Sequence, residues 1–352
     1  MAHAASAVEE DRERVRVGVA GLTHTHVHWI LGRPDRGDIQ LVGIAEPNRD
    51  LAERYCEQHG LPTQLIYPTL EAMLDEAEPE AVTAFGTIRE HLQVVEACAP
   101  RGVHVMVEKP LAVSGEHARL MALLAREHGV HLLTNYETSW YPSLHELKRR
   151  VDAGEIGDLR KVVAHAGHPG PIEIGCNPEF TDWLCDPVEN GGGALTDFGC
   201  YGVNLMTWLC GGERPRSVTA VTQQIKPEMY PLVEDEATIV LTYPGCQAIV
   251  QASWNWPIHR KDLAAYGTKG LLDARDSATL LSGSDSLELR PLNTPELQPS
   301  RDDPFAMLAA VVRGRVDPAG SLSSLENNLI VVEVLDAAKR SAETGQRTEL
   351  SR

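Results

Sequence analysis

The sequence predicts an α/β protein in two parts: an N-terminal part built on a parallel sheet, then an α+β part built on a large, mainly antiparallel open sheet. Three observations carry this. From Arg14 to about Asn135, short β-branched runs alternate with helical stretches, the pattern of a parallel sheet with helical crossovers. Between Ser217 and Leu289 strand follows strand, separated by turn residues. At 352 residues, the chain suits about two domains. The expected domains are 1–135 and 136–352.

Composition narrows the function classes. A net charge of −18 repels phosphates and excludes nucleic acid as a partner. Residues 1–12 lack the basic start and apolar core of a signal peptide, and no later run of about 18 apolar residues could span a bilayer. The expectation is a soluble, cytoplasmic protein with a frayed N-terminus and no membrane partner. Cys56, Cys98, Cys176, Cys185, Cys200, Cys210 and Cys246 form no CxxC pair, as fits reduced thiols. Cys176, Cys185 and His168 match no zinc-ligand spacing, and no metal is expected.

In chain order, Arg14 to Ala20 (RVRVGVA) reads as the first strand and Gly21 as the turn after it, with a helix expected to start within residues 22–29 (LTHTHVHW). Strand, glycine turn and helix is an opening that binds a dinucleotide. The usual G-x-G-x-x-G would fall on Gly21, Thr23 and His26, so two of its glycines are replaced. A Thr23 hydroxyl can donate to a pyrophosphate, whereas His26 cannot give the close helix-to-strand contact of glycine. His24, His26 and His28 alternate without a carboxylate at helical spacing, which argues against a metal there. The second strand, Ile39 to Ala45, ends on Glu46, where a carboxylate accepts ribose hydroxyls and repels a 2′-phosphate. This favours NAD, with Arg49 keeping NADP open.

A helix over 49–59, a strand near 64–66, a helix near 70–76 and a strand over 81–85 continue the alternation. Gly86 and Thr87 then permit close approach of a ring or ribose to the backbone, and a helix is expected over His91 to Arg101. Val103 to Val107 reads as a buried strand without helical spacing. It ends on Glu108, Lys109 and Pro110. Proline disfavours α geometry before it, so Lys109 is expected to extend into the crevice at the carboxyl edge of the sheet. A helix over 114–128 and a strand over 131–134 complete a Rossmann-type domain by about Asn135.

In the second part a helix is expected over Pro142 to Asp152 and a strand over Leu159 to His165. His168-Pro169-Gly170-Pro171 breaks that strand, and irregular chain carries Asp182 and Trp183 as far as Asn190. Trp183 reads equally as packing and as a sugar-stacking face. Gly191-Gly192-Gly193 suits a backbone that passes close to something else. Asp197 and Tyr201 follow, four apart on one helical face. Strands are then expected over 217–225, 237–243, 247–256, 262–266, 270–274 and 286–289, with Pro244-Gly245 as a hairpin turn. Helices over 304–313 and 325–343 end the chain, the latter capped by Gly345.

The Gly21 turn, Glu46, His91, Glu108-Lys109-Pro110 and the later stretch GGGALTDFGCY (191–201) together resemble the glucose-fructose oxidoreductase / inositol dehydrogenase / MocA (Gfo/Idh/MocA) family. The resemblance spans nearly the whole chain, and the altered glycine loop is its main departure. It implies an NAD(P)-dependent oxidoreductase moving a hydride between nicotinamide and a hydroxyl-bearing carbon of a sugar, polyol or related cyclic alcohol. Gly21, Thr23, His24, Glu46, Thr87, His91, Glu108 and Lys109 would bind the cofactor. Lys109, Asp197 and Tyr201 would be catalytic, with His168 and Trp183 joining them at the substrate. Members commonly carry histidine where Tyr201 stands, so the chain sides with the tyrosine-containing subgroup. Lys109 is expected to lower the pKa of Tyr201 and orient the substrate oxygen, and Asp197 to hold a sugar hydroxyl or tune the pair. In related proteins the open sheet face meets another subunit's, implying a homodimer or homotetramer. Two alternatives remain: an NAD-dependent glycosidase of the same fold, and a non-catalytic ligand sensor. The altered glycine loop hints at the sensor, while Lys109 and Asp197 argue against it.

Overall fold

A computed structural model describes residues 14–284 and 288–350. The expected frayed stretch 1–12 lies outside these residues, as do Ser286 and Leu287 of the last expected strand.

The first sheet joins β1 (Val15–Ala20), β2 (Ile39–Ala45), β3 (Ile66–Tyr67), β4 (Ala81–Ala84), β5 (His104–Glu108) and β6 (Leu132–Asn135) in the order β3-β2-β1-β4-β5-β6, all parallel. The order reverses between β1 and β4, which opens a crevice at their carboxyl ends. Between the strands run α1 (Val27–Leu31), α2 (Arg49–His59), α3 (Leu70–Ala77), α4 (His91–Cys98) and α5 (Gly115–Glu127). Local chemistry sets their limits: Asn48, Thr69 and Ser114 accept backbone N–H groups at the starts of α2, α3 and α5, and Gly60 ends α2 in the left-handed conformation. The helix after Gly21 begins at Val27, within the expected stretch and behind a turn through His24, but one expectation changes. The helix from His91 stops at Cys98 and tightens into a 3-10 turn, Ala99–Arg101, where Pro100 lacks a donor.

The chain then enters α6 (Pro142–Asp152), β7 (Leu159–Gly167), α7 (Pro178–Leu184), α8 (Ala194–Asp197) and α9 (Gly199–Leu209). The stretch around Trp183, expected to be irregular, is α7: Pro178 supplies a helical φ at its first position. Asp197 and Tyr201 do not share one continuous helix, because the chain breaks at Phe198 between α8 and α9.

The second sheet adds β8 (Ser217–Gln223), β9 (Glu236–Thr242), β10 (Gln247–Ser253), β11 (Arg260–Gly267), β12 (Leu271–Ala274), β13 (Leu280–Gly283), β14 (Arg290–Leu292) and β15 (Thr348–Glu349), ordered β14-β13-β12-β11-β7-β10-β9-β8-β15. All pairings are antiparallel except β7 with β10. β13, β14 and β15 were not anticipated: Glu288 and Leu289 of the strand expected over 286–289 are not in a strand, and β14 starts only at Arg290. Two helices follow β14: α10 (Pro304–Val312) packs on the first sheet, and α11 (Leu325–Thr344), ended by left-handed Gly345, packs with α9 beneath the second. The sheet's inner positions, such as Ala237, Ile239, Ala248 and Val250, are buried; Val163, Thr238, Val240 and Ile249 on the opposite face are only half-buried.

Candidate active site

The site is built where the carboxyl ends of the first sheet face α8, α9 and β11. Gly21 (φ +77°) turns the chain after β1, and a Cβ there would lie 2.7 Å from the Gly86 nitrogen. The turn therefore needs glycine on steric and conformational grounds. Glu46 braces the same turn from the end of β2: its two oxygens accept the Leu22 and Asn48 N–H groups, both at 2.9 Å. Burial raises the Glu46 pKa, with those two N–H bonds working against the rise.

Gly21, Thr23, Glu46, Pro47, Gly86 and His91 line a cleft of about 330 Å³. Thr23 Oγ1 and His91 Nε2 are buried and bond to nothing among the described residues, while His91 Nδ1 is held 3.1 Å from the Leu111 carbonyl. Burial keeps His91 neutral, with a pKa lowered to about 4. Buried polar atoms without partners, aimed into a cleft at a topological switch point, fit a polar dinucleotide. Arg49 instead pairs with Glu53 on its own helix at 2.8 Å.

Two expected cofactor contacts are engaged elsewhere. The Thr87 hydroxyl donates to Glu189 at 2.9 Å, and the buried His24 ring packs on Phe180 and Trp183 at 4.9 and 5.8 Å. Trp183, expected at the substrate, is thus part of a strap formed by residues 176–190 over the glycine turn. The strap is fastened by Glu179, which takes Tyr55 Oη at 2.7 Å and also pairs with Arg54. Its helical form gives Trp183 a fixed packing face.

Glu108 ends β5 fully buried, with Oε1 accepting Asn135 Nδ2 at 2.7 Å and Oε2 3.0 Å from His26 Nδ1. The histidines have no carboxylate at helical spacing, as expected, but the fold brings one from far along the chain: ligand atoms of Glu108, His24 and His26 lie within 4.8 Å of one another. Both carboxylate oxygens already have partners. Burial, with the ammoniums of Lys261 and Lys109 adding to it, takes the His26 pKa down to about 3, so Nδ1–H is the donor to Glu108.

Lys109 follows across a cis Lys109–Pro110 peptide. Its Nζ forms an ion pair with Asp197 Oδ1 and lies 3.0 Å from the Asp197 carbonyl oxygen. Trp254 Nε1 donates to Asp197 Oδ2 at 2.9 Å. Burial opposes charge on both partners, but each outweighs it for the other: the Lys109 pKa is raised and that of Asp197 lowered. The carboxylate can reach the lysine because Gly191 to Gly193 pass very close to neighbouring chain. A Cβ on Gly193 would sit 1.9 Å from the Glu234 carbonyl, and its N–H donates to Glu234 Oε1 at 2.9 Å.

The Tyr201 ring centroid lies 5.3 Å from Lys109 Nζ and 4.8 Å from Lys261 Nζ. Its hydroxyl makes no hydrogen bond among the described residues, which leaves it free to face a ligand. The expected lowering of its pKa is overturned. Burial is the largest influence and Glu137 adds to it, so the phenol is pushed well above its ordinary value. The Lys109 charge is already compensated by Asp197 and cannot reverse this. His168 closes one side, its ring 4.7 Å from Phe198, and burial lowers its pKa to about 4.

Sequence reasoning missed Lys261, Glu137, Trp254 and His26 as members of this site. Glu137 stands two residues past β6, in the position of a carboxyl-edge residue. Lys261 alternates in register with buried Leu263 and Ala265, so a charge at an inward position was the available signal.

Comparison with known proteins agrees with this geometry. Residues 15–136 match the model described as an oxidoreductase family with an NAD-binding Rossmann fold, and residues 144–273 match the GFO/IDH/MocA C-terminal domain. The chain belongs to the Gfo/Idh/MocA family. Among its relatives are trans-1,2-dihydrobenzene-1,2-diol dehydrogenases of Xenopus tropicalis, 28% identical over 236 residues covering 67% of each chain, and of Sus scrofa, 28% identical over 261 residues covering 73% of this chain and 72% of the relative. An inositol dehydrogenase homologue from Azotobacter vinelandii, solved with NAD+, superposes with TM-score 0.82 at 19% identity, covering 96% and 97% of the two chains. The aldose-aldose oxidoreductase of Caulobacter crescentus gives 0.78 at 22%, covering 96% and 100%. As a Gfo/Idh/MocA member the protein is an oxidoreductase with an NAD-binding Rossmann domain. Among the described residues no helix is long and apolar enough to cross a membrane.

Proposed function

We propose that the protein is a dehydrogenase acting on a CH–OH group of a sugar, polyol or related cyclic alcohol, with residues 1–135 as its nucleotide-binding domain and 136–352 as its substrate and assembly domain. One observation carries this reading: buried, ion-paired Lys109 and the unpartnered hydroxyl of Tyr201 meet at the carboxyl end of β5, beside a cleft suited to a dinucleotide. The names of the relatives, a dihydrobenzenediol dehydrogenase, an inositol dehydrogenase homologue and an aldose-aldose oxidoreductase, support the substrate class.

Gly21, Thr23, Glu46, Gly86 and His91 would hold the cofactor, which when bound supplies a hydride acceptor or donor. The chain's own residues manage the proton and the position of the substrate. Lys109 remains an ammonium and donates a hydrogen bond to the substrate oxygen, orienting it and stabilising negative charge developing there. Asp197 holds Lys109 in place, with Trp254 fixing the carboxylate's second oxygen. Tyr201 is the proton-transferring group: the phenol, its form at neutral pH, gives its proton to the carbonyl oxygen during reduction, and the phenolate takes the hydroxyl's proton during oxidation.

The half-buried outer face of the second sheet supports assembly into a homodimer or homotetramer through these faces. Light scattering that finds a monomer at micromolar concentration would refute this. The reaction is tested by following NADH and NADPH absorbance over a panel of sugars and polyols. Release of nitrophenol from nitrophenyl glycosides without net NADH would identify a glycosidase instead. Failure to bind either nucleotide would identify a sensor.

A further inference from the structure

Beyond Tyr201 the pocket does not end. Lys261, whose Nζ lies 4.8 Å from the Tyr201 ring, its ion-pair partner Glu137 and His168 also line a cavity of about 700 Å³ that extends outward from the catalytic groups. This outer cleft runs between the start of α6, where Tyr141 Oη bonds to Glu137, and the ends of β11 and β12. Its floor is held rigidly. Ser143 N donates to the Ser277 carbonyl at 3.0 Å, pinning the loop after β12 to α6, and Asp276 Oδ1 accepts the Ala278 and Thr279 N–H groups at 2.9 and 2.7 Å.

The wall chemistry selects among ligands. Each of its three cations is paired: Lys261 with Glu137, Arg260 with Asp262 at 2.5 Å, and Arg275 with Asp273 at 3.0 Å. No Lys or Arg there is left to capture a phosphate or carboxylate, and the one carboxylate outside these pairs, Asp276, is engaged by the Ala278 and Thr279 N–H groups. What the pairs do present is a fixed array of guanidinium N–H donors and carboxylate acceptors, with near-neutral net charge, next to the Tyr141 ring. Such an array suits a ligand carrying many hydroxyls, each both donor and acceptor. The cavity falls within the range that holds a drug-sized molecule, and it is continuous with the pocket at Tyr201 through Lys261, Glu137 and His168.

We propose that this outer cleft is a subsite for a second, uncharged, hydroxyl-rich ring, so that the enzyme acts on one ring of a glycoside or oligosaccharide rather than on a free monosaccharide. This rests on the dehydrogenase reading above for the chemistry, but not for the binding. The first ring meets Lys109 and Tyr201, and the second lies against Arg260, Asp273 and Arg275.

The test uses the full chain with NAD, comparing cellobiose, maltose and lactose with glucose and galactose. At least one disaccharide is expected to show a kcat/KM about tenfold or more above its constituent monosaccharides. Arg275→Ala should raise KM for that disaccharide about tenfold with kcat little changed, leaving the monosaccharide parameters as they were. Ser277→Trp, which fills the exposed floor of the cleft without breaking an ion pair, should do the same. Equal kcat/KM for one-ring and two-ring substrates, or variants that alter both alike, would overturn the subsite. If no sugar is turned over, the dehydrogenase reading fails separately, and calorimetric titration of the disaccharides then decides: binding weakened in Arg275→Ala supports the cleft, and no binding of any disaccharide overturns it. Tighter binding of a phosphorylated disaccharide or a sugar nucleotide than of its neutral counterpart would overturn the uncharged ring.

Discussion

The cofactor cleft and the catalytic pocket open on the same sheet edge, yet they are built on opposite principles. The cofactor cleft is made from a glycine turn, backbone N–H groups braced by Glu46, and two buried polar atoms, on Thr23 and His91, that bond to nothing among the described residues. In the catalytic pocket every charged group is paired: Lys109 with Asp197, Lys261 with Glu137. Open hydrogen-bonding capacity suits the binding of a large ligand whose own polar groups complete it. Paired charge suits chemistry, because a buried ammonium survives only when a carboxylate holds it in place. The uncharged Tyr201 hydroxyl, alone without a partner among the proposed catalytic groups, is the place where the two principles meet.

The comparison breaks most sharply at Lys109. Lys109→Met should lower kcat on the order of a hundredfold or more while NADH affinity, measured by fluorescence titration, changes little. Tyr201→Phe should behave similarly, and the double variant should be scarcely worse than either single one, since groups acting as a unit are non-additive. If Tyr201→Phe keeps near full activity while Lys109→Met loses it, the lysine itself exchanges the proton. Next comes the strut that places Asp197. Gly193→Ala forces a Cβ into the Glu234 carbonyl and should cost about 2–3 kcal/mol in denaturant unfolding. An unchanged midpoint would show that this backbone can relax.

On the cofactor side the expected effects are smaller. NADH should bind at least about tenfold tighter than NADPH, roughly 1.4 kcal/mol, and Glu46→Ala should narrow the gap. Equal affinities in the unaltered protein would remove Glu46 as the discriminator. The mildest effect is on pH. Because burial raises the Tyr201 pKa, the proton-accepting phenolate is scarce at neutral pH and grows as pH rises toward that raised value. Oxidation should therefore accelerate from neutral into alkaline pH, while reduction, which needs the phenol, stays flat over the same range. An oxidation rate that falls over this range would assign the proton to another group.

The sequence by itself determined what depends on local pattern. Alternating β-branched and helical runs marked the strands of the parallel sheet, and a glycine turn, a strand-end carboxylate and Glu108-Lys109-Pro110 marked its functional edge. Gly345 marked a helix end, because caps act within a few residues. Local pattern did not reveal α7 in its proline-flanked surroundings, the break at Phe198, or the parallel pairing of β7 with β10, which depends on partners far along the chain. The same limit applied to the site. That Lys109 would be matched by Asp197, that Glu108 would bond His26, that Lys261 and Glu137 would flank Tyr201, and that burial would raise rather than lower the Tyr201 pKa were all decided by the tertiary structure. Distance and desolvation set the energy of a charge, and both come from segments that only the fold brings together.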